Sequence, residues 1–110
     1  MPNLKLYVDQ NSRAAAAAGL TAVLPDLRAA LCARLSVPVS ACQLAIITVE
    51  GMEDQRAINA ELMILPAETR PHALRLQLAH ELRDLIHAAT GIEPAVRIAL
   101  LDRDTYLGLK

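Results

Sequence analysis

Two hydrophobic periods take turns along this chain, and their succession divides it into six segments. Leu4, Leu6 and Val8 alternate with Asn3, Lys5 and Tyr7. A period of two puts one set of side chains on a core and predicts a first strand within residues 1–9. Leu20, Val23, Leu24, Leu27, Leu31 and Leu35 then recur every three or four residues, the apolar stripe of a long helix. A polar turn at residues 9–13 precedes it, with Asn11 or Ser12 as the expected cap. Pro25 falls inside the stripe and removes the bond to the carbonyl of Thr21, so a kink or a fresh helix start is expected there. The stripe keeps its phase across Pro25, and both parts face one core.

Pro38 closes the helical region, and residues 42–50, CQLAIITVE, read as a second strand. Its near-continuous apolar run suits burial on both faces. Gly51 opens a charged connector, and a third strand follows within residues 56–65, with Ile58, Ala60, Leu62 and Ile64 on one face. Thr69 is the expected cap of a second helix with Pro71 in its first turn. That helix carries Leu74, Leu78, Leu82, Leu85, Ile86 and Ala89 on its inner stripe and stops near Gly91. Pro94 opens a fourth strand, and residues 102–110 form a turn and a short tail.

The order is β-α-β followed by β-α-β. It reads as a single domain over residues 1–110, built from two halves, about 1–52 and 53–110, that form a weak internal repeat. Each long helix permits a crossover between parallel strands. The expected class is therefore α/β (α+β), with a four-stranded mixed sheet and both helices on one face. The second and fourth strands leave little polar side for water, so the opposite sheet face is expected to be covered by self-association.

Composition narrows the partners. Hydrophobic residues make up 54% of the chain, yet Phe and Trp are absent and Tyr occurs twice. The core must be aliphatic, and no aromatic platform for base stacking is on offer. A net charge of −1 supplies no positive field for nucleic acid or anionic lipid. Neither is an expected partner. The alanine run 14–18 lacks a basic lead and is followed by Pro25 and Asp26, which argues against a secretory or membrane-spanning segment. Cys32 and Cys42 read as small buried hydrophobes in a reducing, cytoplasmic setting. His80, Asp84 and His87 share one helix face. That face is the polar one opposite the leucines, and HELRD lacks the second histidine of a metalloprotease motif. No metal or cofactor is expected.

The residue with chemical promise is Pro2. Removing Met1 leaves a proline amine on a strand, and a terminus tied into a sheet is held in place. A terminal amine is a base whose free value lies about one unit above neutrality. Apolar surroundings disfavour its charged form and push that value towards the range a general base needs. The plainer reading makes Pro2 a second residue of no consequence before an edge strand.

Met followed by Pro on a strand, ahead of a β-α-β-β-α-β chain of this length, resembles the tautomerase superfamily. Within it the chain is most similar to the 5-carboxymethyl-2-hydroxymuconate isomerase family. The matching pieces are MPNLKLYVDQNSR, Pro38 before the second strand, and TRPHALRLQLAHELRDLI, where Arg70, Arg75 and Gln77 fall on the family's pattern. The resemblance implies a homotrimer with an active site at each subunit boundary. It implies an isomerase of aromatic-compound catabolism that moves a proton in a small unsaturated 2-hydroxy or 2-oxo carboxylic acid. Carried over by position, Pro2 is the base and Arg70 the carboxylate clamp. Free N–H groups and the dipole at the start of the second helix also favour an anion there.

One departure matters. Gln43 stands where the isomerase family places an arginine, and a neutral amide supplies no charge to a second carboxylate. Arg97 on the fourth strand, or Arg13 after the first, is a candidate to compensate, and both read equally as surface charge. Relative to the macrophage-inhibitory-factor branch, Arg97 and Ala99 replace the tyrosine and asparagine of the last strand. The competing class is a non-catalytic binding or oligomerisation module, ferredoxin-like or tautomerase-like, in which Pro2 is inert.

Overall fold

The structure, a computed structural model, describes residues 1–109. Its elements are β1 (Asn3–Asp9), α1 (Gln10–Leu35), a 3₁₀ turn (Val39–Ala41), β2 (Gln43–Val49), β3 (Ile58–Ile64), α2 (His72–Thr90) and β4 (Ala95–Leu100). The strands form one mixed sheet in the order β2-β1-β3-β4. β1 runs parallel to β2 and antiparallel to β3, and β3 runs parallel to β4. The element order and the four-stranded mixed sheet with two helices match the expectation from sequence.

Alternation explains the core. Leu4, Leu6 and Val8 on β1, and Ile58, Ala60, Leu62 and Ile64 on β3, are buried on the helix side of the two central strands. Leu20, Val23, Leu27, Leu31 and Leu35 of α1 close over them, with Leu78, Leu82 and Ile86 of α2. Each large aliphatic side chain withdrawn from water in this way stabilises the fold by roughly 1.5–3 kcal/mol. Among the described residues α1 is the one helix long and apolar enough to cross a membrane by length and composition. Its leucine stripe is buried in this core.

Four local expectations are corrected. No polar turn separates β1 from α1: Asp9 is the cap, its Oδ2 accepting from the Asn11 N–H at 3.1 Å, because the helix begins directly where the strand ends. Pro25 neither ends nor restarts α1, which is continuous from Gln10 to Leu35. Pro25 and Thr21 are both exposed, so the carbonyl that loses its partner faces water. Thr69 does not cap α2; Pro71 occupies that position with no side-chain bond to the helix. Finally, β2 is an edge strand with no fully buried residue, so its apolar run is not enclosed on both faces by this chain.

The other sheet face is also less apolar than expected. Lys5, Glu61 and Arg97 lie in one cross-strand row, beside Ala45 of β2. The helices meet closely at Gly19, where any Cβ would run into the carbonyl oxygen of Ala89 on α2. α2 ends as expected, with Gly91 in the left-handed region at φ 74° and its N–H on the His87 carbonyl.

Candidate active site

Pro2 is buried immediately ahead of β1, and its carbonyl accepts a hydrogen bond from the Gln43 N–H at 2.9 Å. Asn3 stands opposite Gln43 on β2 and opposite Met63 on β3. Pro2 is thus set between the beginning of one strand and the end of another. The same end of the sheet receives the loop that leaves β3 and the C-terminal part of α1, which returns antiparallel to β1.

The β3 side brings Arg70. Its N–H donates to the Ala67 carbonyl at 3.0 Å, and its Nη1 to the Leu65 carbonyl at 2.9 Å. These bonds fold the 65–70 loop onto itself and hold a half-buried guanidinium one residue before the Pro71 cap of α2. The Nε of Arg70 is buried without a partner. Arg75 shares that feature, whereas Gln77 is turned to the helix–helix surface, where its Oε1 accepts from Arg34 Nη1 at 3.3 Å.

The α1 side brings Arg28, Cys32 and Cys42. The thiols touch, Sγ to Sγ at 3.4 Å, without a disulfide. Burial pushes the Cys42 thiol up from its ordinary 9.0 to about 11. The Cys32 contact adds to this, while the positive charges of Arg28 and the amino terminus pull the other way. An open cavity of about 560 Å³ lies here, lined chiefly by Leu24, Arg28, Val39, Cys42, Gln43 and Leu44. Arg28 donates from Nε to the Val39 carbonyl at 2.9 Å, which holds the guanidinium at the cavity wall.

Of the residues singled out from sequence, Pro2, Gln43 and Arg70 therefore share one end of the sheet. Arg13 lies in the first turn of α1, at the opposite end of β1, about 20 Å away by the length of a strand of seven residues. Arg97 projects from the face away from the helices, where its Nη1 donates to Asn59 Oδ1 at 3.0 Å. Neither stands beside Pro2 of its own chain. Sequence reasoning missed Arg28. The available signal was the four-residue spacing to Cys32, which puts both on one helix face. Among the described residues no group of three or more His, Cys, Asp or Glu side chains is placed to hold a metal, and His80, Asp84 and His87 form no such group.

No protein-family model matches the chain, and no curated protein matches it significantly. Solved structures do. A protein of unknown function from Vibrio cholerae superposes with a TM-score of 0.72 at 20% identity, covering 96% of this chain and 82% of its own. A macrophage migration inhibitory factor-like protein from Entamoeba histolytica gives 0.70 at 10% identity, with 99% and 95% covered. A fused 4-OT, described as a symmetric trimer, gives 0.69 at 18% identity, with 97% and 90% covered. At these identities the likeness is one of fold.

Proposed function

We propose that this protein is a tautomerase-type isomerase acting on a small unsaturated 2-hydroxy or 2-oxo carboxylic acid, with Pro2 as its general base. The observation that carries this reading is the burial of Pro2 at the head of a central strand, fixed by the Gln43 bond to its carbonyl. The fold it shares with a fused 4-OT and a macrophage migration inhibitory factor-like protein points the same way. Both neighbours speak for the tautomerase superfamily at large. The narrower resemblance to 5-carboxymethyl-2-hydroxymuconate isomerases rests on the residues quoted from the sequence.

The chemistry needs one base that removes a proton from one position of a dienol and returns it to another. With Met1 removed, the Pro2 nitrogen is a secondary amine with a free lone pair; with Met1 attached, it is a tertiary amide and not a base. Arg70 and the unpaired N–H groups at the start of α2 hold the substrate carboxylate and stabilise the negative charge that develops on the conjugated system. Gln43 offers neutral hydrogen bonds beside the base.

Assembly as a homotrimer is part of the same proposal. β2 is an edge strand with a half-buried apolar run, and Met63, Leu107 and Leu109 are exposed. Light scattering should therefore report about three times the 11.9 kDa chain mass; a clean monomer contradicts a site built between subunits. The direct test is turnover of phenylenolpyruvate and 2-hydroxymuconate by wild type and Pro2→Ala. Pro2→Ala replaces the ring-held secondary amine by a primary amine with a free φ, so kcat should fall, at most by the about 10²–10⁴-fold that a positioned general base contributes, and unchanged turnover means that the proline ring has no part in the mechanism.

A further inference from the structure

Cys32 and Cys42 are ten positions apart in sequence, and the fold brings their sulfurs to 3.4 Å without a disulfide. Three separate bonds fix that meeting. The Val37 N–H donates to the Cys32 carbonyl at 3.3 Å and turns the chain out of α1. Arg28, one helical turn before Cys32, donates from Nε to the Val39 carbonyl at 2.9 Å. The Cys42 N–H donates to the same carbonyl at 3.2 Å. The next residue, Gln43, is the one whose N–H holds the Pro2 carbonyl. The two thiols differ in access, Cys42 being 3% exposed and Cys32 only half-buried. Two thiols held in contact, one within reach of a reagent and one behind it, have the arrangement of an entering and a resolving cysteine. The proton transfer assigned to Pro2 uses neither of them.

We propose that Cys32 and Cys42 form a reversible dithiol–disulfide couple, oxidised by small-molecule disulfides, that clips the C-terminal part of α1 to the head of β2. The Cys32 thiolate attacks one sulfur of the reagent. The reagent's S–S bond breaks, a mixed disulfide forms on Cys32, and the first reagent thiolate leaves and takes up a proton. The Cys42 sulfur then attacks the Cys32 sulfur. Its proton goes to the second reagent thiolate, which leaves as a thiol. Two protein thiols are oxidised to one disulfide while one reagent disulfide is reduced to two thiols. Burial holds the Cys42 thiol up at about 11, which suits it to the second step, where the target is already in contact, and not to the first.

The test treats the whole protein with glutathione disulfide at neutral pH and follows intact mass and free thiols, with circular dichroism as the check on folding. The wild type should lose both thiols, become lighter by two hydrogens and retain no glutathione, and dithiothreitol should reverse the change. Cys42→Ala should stop at the mixed disulfide and keep one glutathione. Cys32→Ala should take up glutathione roughly ten-fold more slowly than Cys42→Ala, since a raised thiol holds less thiolate and its greater nucleophilicity offsets only part of that loss. In the oxidised wild type, hydrogen exchange of the Gln43 N–H should be slower than in the reduced protein. A wild-type chain that keeps glutathione, stays unmodified or forms disulfides between chains overturns the couple. Equal rates for the two single variants overturn the entering role of Cys32. Unchanged exchange at Gln43 after the disulfide has formed overturns the clip. None of these readouts involves turnover, so the couple stands or falls independently of the role of Pro2.

Discussion

The β1-α1-β2 and β3-α2-β4 units share an architecture and differ in what they can do. Each lays a helix over two parallel strands, and their first strands pair antiparallel at the centre of the sheet. The first unit begins with a buried proline and adds a touching cysteine pair beside an open cavity walled by Arg28. The second begins after a connector in mid-chain, so its first strand has no amine to offer. Its surface carries ion pairs such as Arg56–Glu93 at 3.4 Å. A fold repeated twice in one chain supplies its scaffold twice but its terminus once. Chemistry that depends on a terminal amine is thereby confined to one unit, and the other serves as a wall that carries Arg70.

The comparison is most easily broken where the units meet. Gly19 of α1 lies so close to the Ala89 carbonyl of α2 that a methyl group forces backbone apart. Gly19→Ala should destabilise the fold by about 1–3 kcal/mol despite the better helix propensity of alanine. Thermal denaturation should show a fall of several degrees, and a rise would mean that the helices can separate at no cost. The cysteine pair gives a second asymmetry, visible in pH. The Cys42 thiol is raised from 9.0 to about 11 in the folded chain, so the folded state holds its proton longer than the unfolded one. The stability this confers is complete below pH 9 and is lost as pH rises to 11, about 2 kcal/mol in all. Cys42→Ser should flatten urea-derived stability over that interval. The smallest effect distinguishes the two helix starts. Asp9 caps α1 and also accepts from the Gly51 N–H at 3.1 Å, so Asp9→Ala should cost about 1 kcal/mol. Thr69→Ala, at a residue that caps nothing, should stay within about 0.5 kcal/mol in the same denaturation series.

The sheet-and-helix order was legible because Leu4, Leu6 and Val8 keep a period of two while Leu20 to Leu35 keep a helical one. These patterns are local and need no knowledge of neighbours. The cap of α1 was misplaced because the chain passes from strand to helix at Asp9 without a turn, and polar residues beyond it look like a loop. The polar far face was missed because Lys5, Glu61 and Arg97 become a row only through strand register. Pro2 was singled out from sequence by its place second in the chain, and the structure adds its burial and the Gln43 bond to its carbonyl. Arg28 was passed over, because only the fold of α1 brings it to the cavity that Gln43 also lines.

The central claim is that the free amine of Pro2 does the chemistry, and Met1 offers the most direct measurement of it. A chain with Met1 attached and a chain with Met1 removed differ in intact mass, so the two can be told apart in one preparation. Preparations spanning a range of Met1 removal should be assayed for 2-hydroxymuconate turnover against the fraction of processed chain. The account predicts a rate proportional to that fraction, passing through zero when all of Pro2 is an amide. A fully Met1-bearing preparation that turns over substrate at the processed rate would contradict it.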